Sequence, residues 1–200
     1  MPFIDFPSTM GIDAATLSER SRALLMAAGG HDPQEPAAPA PGQAHVLLWT
    51  LLVMRVSRLR RFADHVGMLG AGASLRHVLE GRRIAAFREQ LGHELYQFGM
   101  LRAPLIGTIS VAPPAFDDPG RVSAAVREVG MAALQAFCHD PDVEEHLHLR
   151  ARLSARLHEI APSDPTRIFV APPSGALLQR VLREVEPVLA SAFDGIGAHP

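Results

Sequence analysis

Leu52, Val56, Leu59, Ala63 and Val66 recur at steps of four, three, four and three, which is the spacing of one apolar stripe on an α-helix. The same period returns in Ile84, Phe87, Leu91, Leu95 and Phe98, and in Val122, Val126, Val129, Ala133 and Phe137. It returns again in Leu178, Val181, Val185, Val188 and Ala192. A chain built this way buries stripes against stripes. The expectation is therefore an all-α fold, one compact multi-helix domain over residues 44–200. Apolar residues at 48% and charged residues at 20% suit such a core.

Local signals place the helix ends. Asp13 is a suitable N-cap for a first helix that stops at Gly29-Gly30, so residues 1–30 form an N-terminal helix segment. Residues 31–43 are too rich in proline for a helix and read as an extended linker. The second helix is expected from about Ala44 to Val66, with Gly67, Gly70 and Gly72 ending it, and a short helix with Leu75, Val78 and Leu79 following before Gly81. A kink is expected near Gly92. Asp118-Pro119 and Asp140-Pro141 each pair an N-cap acid with proline at the first helical position. The helix begun at Asp140 would carry Val143, Leu147, Leu153 and Leu157 and lie beside the one before it. Pro187 should kink or break the last helix. Thr108–Val111 and Ile168–Val170, each followed by Ala-Pro-Pro, suggest a minimal two-strand element.

The search for chemistry yields no catalytic, cofactor or metal residues. The longest apolar run, Val46 to Met54, falls well short of the roughly 20 residues of a membrane span. Cys138 is single and sits in an apolar helical setting, so it reads as a buried thiol in a reducing compartment. The N-terminus lacks the pattern of a secretory signal. His139, His146, His148 and His158 form the densest histidine group, but His146 and His148 are two apart and point to different sides of a helix. In His93-Glu94-Leu95-Tyr96-Gln97, Gln97 stands where a zincin motif needs its second histidine. There is no nucleophile elbow. The glycines from 67 to 72 have neither dinucleotide-binding spacing nor a Walker lysine.

Charge is the remaining signal. All 19 basic residues are arginine, and the net charge is -2, so the chain as a whole is not a polyanion binder. Yet its middle is basic. Arg55, Arg58, Arg61, Arg76, Arg82 and Arg83 are the candidate partner-binding residues, with Arg60 and Arg88 alongside. Exposed arginines ordinarily supply only solubility, and Asp64, Glu80 and Glu89 are close enough in sequence to pair with them. Docking to an acidic protein is the functional alternative. Stacking aromatics are sparse and no helix-turn-helix is evident, which weighs against nucleic acid.

Three segments carry a resemblance to a known family: Gly72-Ala73-Ser74-Leu75-Arg76-His77-Val78-Leu79, Phe87-Arg88-Glu89-Gln90-Leu91-Gly92, and Ala103-Pro104-Leu105-Ile106-Gly107. Together with the leucine-rich last helix and its internal Pro187, they resemble the SctK/YscK family of bacterial type III secretion sorting-platform adaptors. The resemblance implies a non-enzymatic cytoplasmic protein, peripheral to the inner-membrane apparatus and without direct membrane insertion. It would bridge the cytoplasmic domain of the inner-membrane ring protein and the pod protein, with no nucleic acid involved. The proline-rich linker departs from the family pattern. The alternatives from other classes are a helical nucleic-acid-associated or regulatory protein using the arginine-rich face, and a small helical enzyme or metalloprotein.

Overall fold

The computed structural model describes residues 43–111, 116, 118–139, 146–160 and 170–194. The expected first helix, the start of the helix at Asp140 and all of the proline-rich linker but Gln43 lie outside them. Gln43 itself opens a helix. The described elements are α1 (Gln43–Val53), α2 (Val56–Arg76), α3 (Gly81–Leu91), α4 (His93–Gln97), a π-helical turn (Phe98–Arg102), α5 (Ala103–Ile106), α6 (Pro119–Cys138), α7 (Leu147–Ile160), α8 (Gly175–Val185) and α9 (Pro187–Asp194). The all-α expectation holds. Of the two-strand element, the described residues retain a single antiparallel bridge between Val111 and Val170.

α2 runs through the middle and packs against α6, α8 and the segment from α4 to α5. One continuous core includes Phe62, Val66, Met68, Val126, Leu134, Phe137, Leu153 and Leu178. The register of the α4–α5 segment follows from its contacts. Arg61 pairs with Glu94, the ring of His65 meets Phe98 at 4.7 Å, and Gly72 faces Gly99 and Ala103, so the segment runs parallel to α2. On its other side Arg102 lies 3.9 Å from Glu184, and Arg180 donates to the Ile106 carbonyl at 3.4 Å. The segment is therefore antiparallel to α8.

Two sequence expectations fail at the ends of α2. The helix expected over 44–66 is two helices, broken at Met54-Arg55. The cause comes from about 100 residues away: the buried guanidinium of Arg156 on α7 donates to the carbonyls of Leu51 (3.0 Å), Leu52 and Met54. It supplies donors to carbonyl groups at a helix end that otherwise lack them. Likewise Arg150 donates to the Cys138 carbonyl at the end of α6.

The glycines do not end α2 either. The helix continues to Arg76, and Val78 and Leu79 follow it outside any helix. A Cβ on Gly67 would run into the Val126 carbonyl, and one on Gly130 into the Ala63 carbonyl. The two glycines thus bring the backbones of α2 and α6 into direct contact. Each costs about 1 kcal/mol in helix propensity, a penalty smaller than what close packing of two long helices returns. Asp64 reinforces the crossing by accepting both donors of Arg127 at 3.0 Å.

Other signals read correctly. Asp118 caps α6, accepting from the Gly120 N–H at 2.9 Å. Gly92 breaks the chain between α3 and α4 with φ 77°, a left-handed value that favours glycine. The last helix breaks before Pro187, and the break is filled by the buried carboxylate of Glu186. Val56, Leu147 and Val188, all expected on buried stripes, are exposed; near the last two, Leu149, Leu189 and Ala190 occupy the core instead.

Gly67→Ala or Gly130→Ala is expected to lower stability by about 2 kcal/mol or more through overpacking. Gly81→Ala, whose Cβ meets nothing within 4 Å, should raise it by about 0.5 kcal/mol. Thermal and urea unfolding of the three variants check the opposite signs. Arg156→Leu is expected to cost about 3 kcal/mol, because buried carbonyls at the end of α1 lose their donors. A loss below 1 kcal/mol in the same assay would contradict this role for Arg156.

Candidate interaction faces

The six arginines singled out from sequence do not lie together. Arg55 is exposed before α2, and Arg58 and Arg61 lie within its first two turns. Arg76 ends α2, while Arg82 and Arg83 open α3. At 1.5 Å per residue the two groups stand about 22 Å apart along α2. Arg82 is exposed, and the Arg83 guanidinium sits 6.0 Å from the centre of the Phe87 ring.

Within the first group, two arginines have structural partners. Arg58 donates to Glu186 at 3.0 Å, and Arg61 lies 3.7 Å from the same carboxylate while also holding Glu94. Glu186 is buried, so these cations balance a charge that would be costly alone. The Arg61 hydrogen bond holds Glu94 below the ordinary carboxylate range. Asp64, expected among the partners of this cluster, pairs with Arg127 instead.

A second surface feature is apolar, and sequence reading missed it. After the break at Gly92, the inward positions of α4 step from Leu95 to Phe98. Continued as an α-helix, the stripe would next take in Leu101 or Arg102 and then Leu105. The π-turn lengthens one step to five, so that Ala103 and Ile106 face inward. Leu101 and Leu105 are turned outward, 64% and 77% exposed. Val188 on α9 is also exposed, at 69%.

Among the titratable groups, burial pushes the Cys138 thiol up to about 12, against a smaller opposing effect of Arg150. A thiol in that state is not a nucleophile at neutral pH. Among the described residues no group of three or more His, Cys, Asp or Glu could hold a metal. The structure sets His146 not with its sequence neighbours but 4.9 Å from His45 of α1, ring centre to ring centre. Trp49 donates to His45 Nε2 at 3.1 Å. Burial, then the nearby His146 and His148, lower the pKa of His45; burial chiefly lowers that of His65, whose Nδ1 lies 2.8 Å from the Arg61 carbonyl.

What distinguishes this helical protein lies on its outside: exposed guanidiniums at both ends of α2, and leucines displaced from the core by a change of helical period. No described helix is long and apolar enough to cross a membrane. Residues 43–193 match the family model described as YOP proteins translocation protein K (YscK). The chain belongs to that family of type III secretion proteins. No curated protein and no solved structure matches it.

Since the folded state depresses both histidines, the unfolded chain binds protons more readily below the ordinary value of 6.5. Stability should therefore fall as pH drops through and below that value. Melting temperature at about pH 5.5 is expected to be lower than at about pH 7.5, with a smaller difference in His65→Asn. An unchanged difference in that variant would exclude His65 as a contributor.

Proposed function

We propose that this protein is a non-enzymatic cytoplasmic adaptor of a type III secretion sorting platform, linking the cytoplasmic domain of the inner-membrane ring protein to the pod protein. The observation that carries the reading is the family match over residues 43–193. The surface is consistent with it. A bridge needs two separate docking regions, and the arginine groups at the two ends of α2 are separated by most of that helix.

The role of each arginine follows from its partners. Arg58 and Arg61 balance buried Glu186, so reversing their charge would place carboxylates against it and weaken the fold. Arg55, Arg76 and Arg82 are exposed, and they are the residues through which docking is tested.

The test is a pull-down of the full chain against the ring protein's cytoplasmic domain and, separately, against the pod protein. Both should be captured. Arg55→Glu should weaken one complex, and Arg76→Glu with Arg82→Glu the other, each by about tenfold. Capture of neither partner would end the adaptor reading. Capture of both, unaffected by any of the three substitutions, would remove the arginines from the docking surfaces and leave the role standing.

A further inference from the structure

Residues 93–106 are joined to the rest of the fold through a glycine at each end. Gly92 has φ 77° and Gly107 φ 143°, and among the described residues no others fall in the left-handed range. Both ends can therefore take up a change of chain direction that other residues resist. Between them lie α4, the π-turn and α5, of five, five and four residues, none long enough to persist as a helix without packing. That packing is thin. Of the segment only Phe98, Gly99, Ala103 and Ile106 are buried, while Leu101 and Leu105 face water. Its polar ties are weak as well: the Arg61–Glu94 pair is exposed, Arg102 stands 3.9 Å from Glu184, and Arg180 reaches the Ile106 carbonyl at 3.4 Å. Short elements with few buried side chains open at a lower free energy than the core they rest on.

The part of α2 under this segment holds a titratable group. His65 is 4% exposed, its ring meets Phe98 edge-on at 4.7 Å between centres, and its Nδ1 lies 2.8 Å from the Arg61 carbonyl. A carbonyl only accepts, so Nδ1 carries the proton of the neutral ring. A second proton would place a cation under Phe98 and beside the Arg61 guanidinium. The charged groups acting on the ring are Arg61 and Asp64 of α2 and Glu94 of α4. Asp64 is engaged by Arg127 of α6, and Arg61 by Glu94 and by Glu186 at the α8–α9 break. Burial, the largest influence, keeps the imidazole below its ordinary range despite the Arg61 carbonyl and the two acids. Lifting Phe98 away would return water to the ring and remove that penalty.

We infer that residues 93–106 form a strap that lifts from α2 as a unit, hinged at Gly92 and Gly107, and that a proton taken up by His65 favours the open form. Opening would bare α2 from His65 past Met68, whose methyl covers Gly99, to the close approach at Gly72. The proton acts as a ligand of the open form. At one unit below the ordinary histidine value of 6.5 it can favour opening by up to about tenfold, the ratio of protonated to neutral imidazole in water. The strap does not depend on the adaptor reading.

The test is hydrogen exchange of the full chain, followed by mass spectrometry at about pH 7.5 and about pH 5.5, with each rate divided by that of an unstructured peptide at the same pH. At the higher pH, peptides within 93–106 should exchange about tenfold or more faster than those from the centres of α2 and α6. At the lower pH the corrected rate of the strap should rise several-fold, up to about tenfold. In His65→Asn or His65→Gln, whichever circular dichroism shows to be folded, that rise should vanish while the strap still exchanges ahead of α2 and α6. Glu94→Gln, at an exposed position, should speed the strap about threefold at the higher pH and leave α6 unchanged.

Strap peptides that exchange in step with α2 and α6, in the wild type and in Glu94→Gln alike, would mean that residues 93–106 open only with the whole fold, and the strap would be overturned. A separate opening with no pH response in the wild type overturns the role of His65. So does a pH response that survives the loss of the imidazole.

Discussion

The contact of α2 with α6 through Gly67 and Gly130 governs the rest of the structure. Backbone meets backbone there, with the Val126 and Ala63 carbonyls occupying the space that side chains would fill. At such a short separation the two helices have little freedom to slide or rotate, and the flanking residues Phe62, Val66, Val126 and Val129 are fully buried. α2 then serves as the reference for other elements. Its opposite side holds the α4–α5 segment through a second close approach, Gly72 against Gly99 and Ala103.

The remaining joints are held by polar groups at helix ends. Arg156 closes α1, Arg150 closes α6, and Glu186 fills the α8–α9 break under Arg58 and Arg61. In each case a long arginine side chain from a distant element answers backbone or charge that would otherwise be buried unmatched. Apolar packing thus fixes where the helices lie, and a few buried ionic groups fix where they stop.

That division explains what could be read from the sequence. The stripe in α6 and its Asp118-Pro119 start were legible because both signals are local, as were the break at Gly92 and the break before Pro187. The end of α1 was not, because nothing in Val46 to Met54 announces a guanidinium arriving from Arg156. The glycines of α2 were misread for a related reason: a missing side chain signals either a turn or a close neighbour, and only Gly130 on another helix decides between them. The six arginines were correctly seen as charged and mostly exposed, but their separation into two groups depends on α2 continuing to Arg76. Leu101 and Leu105 were hidden by their own regularity, since they fit an α-helical stripe that the π-turn discards.

The pairing of Trp49 with His45 has an optical consequence. The chain contains one tryptophan, so its tryptophan emission comes from a single indole whose N–H is engaged by an imidazole at the junction of α1 and α7. A protonated imidazole can no longer accept that hydrogen and withdraws excited-state electron density from the ring beside it. The intrinsic light of the protein is thereby wired to the joint where the described fold begins, and a movement of α1 against its neighbours would show as a change in brightness without any added dye.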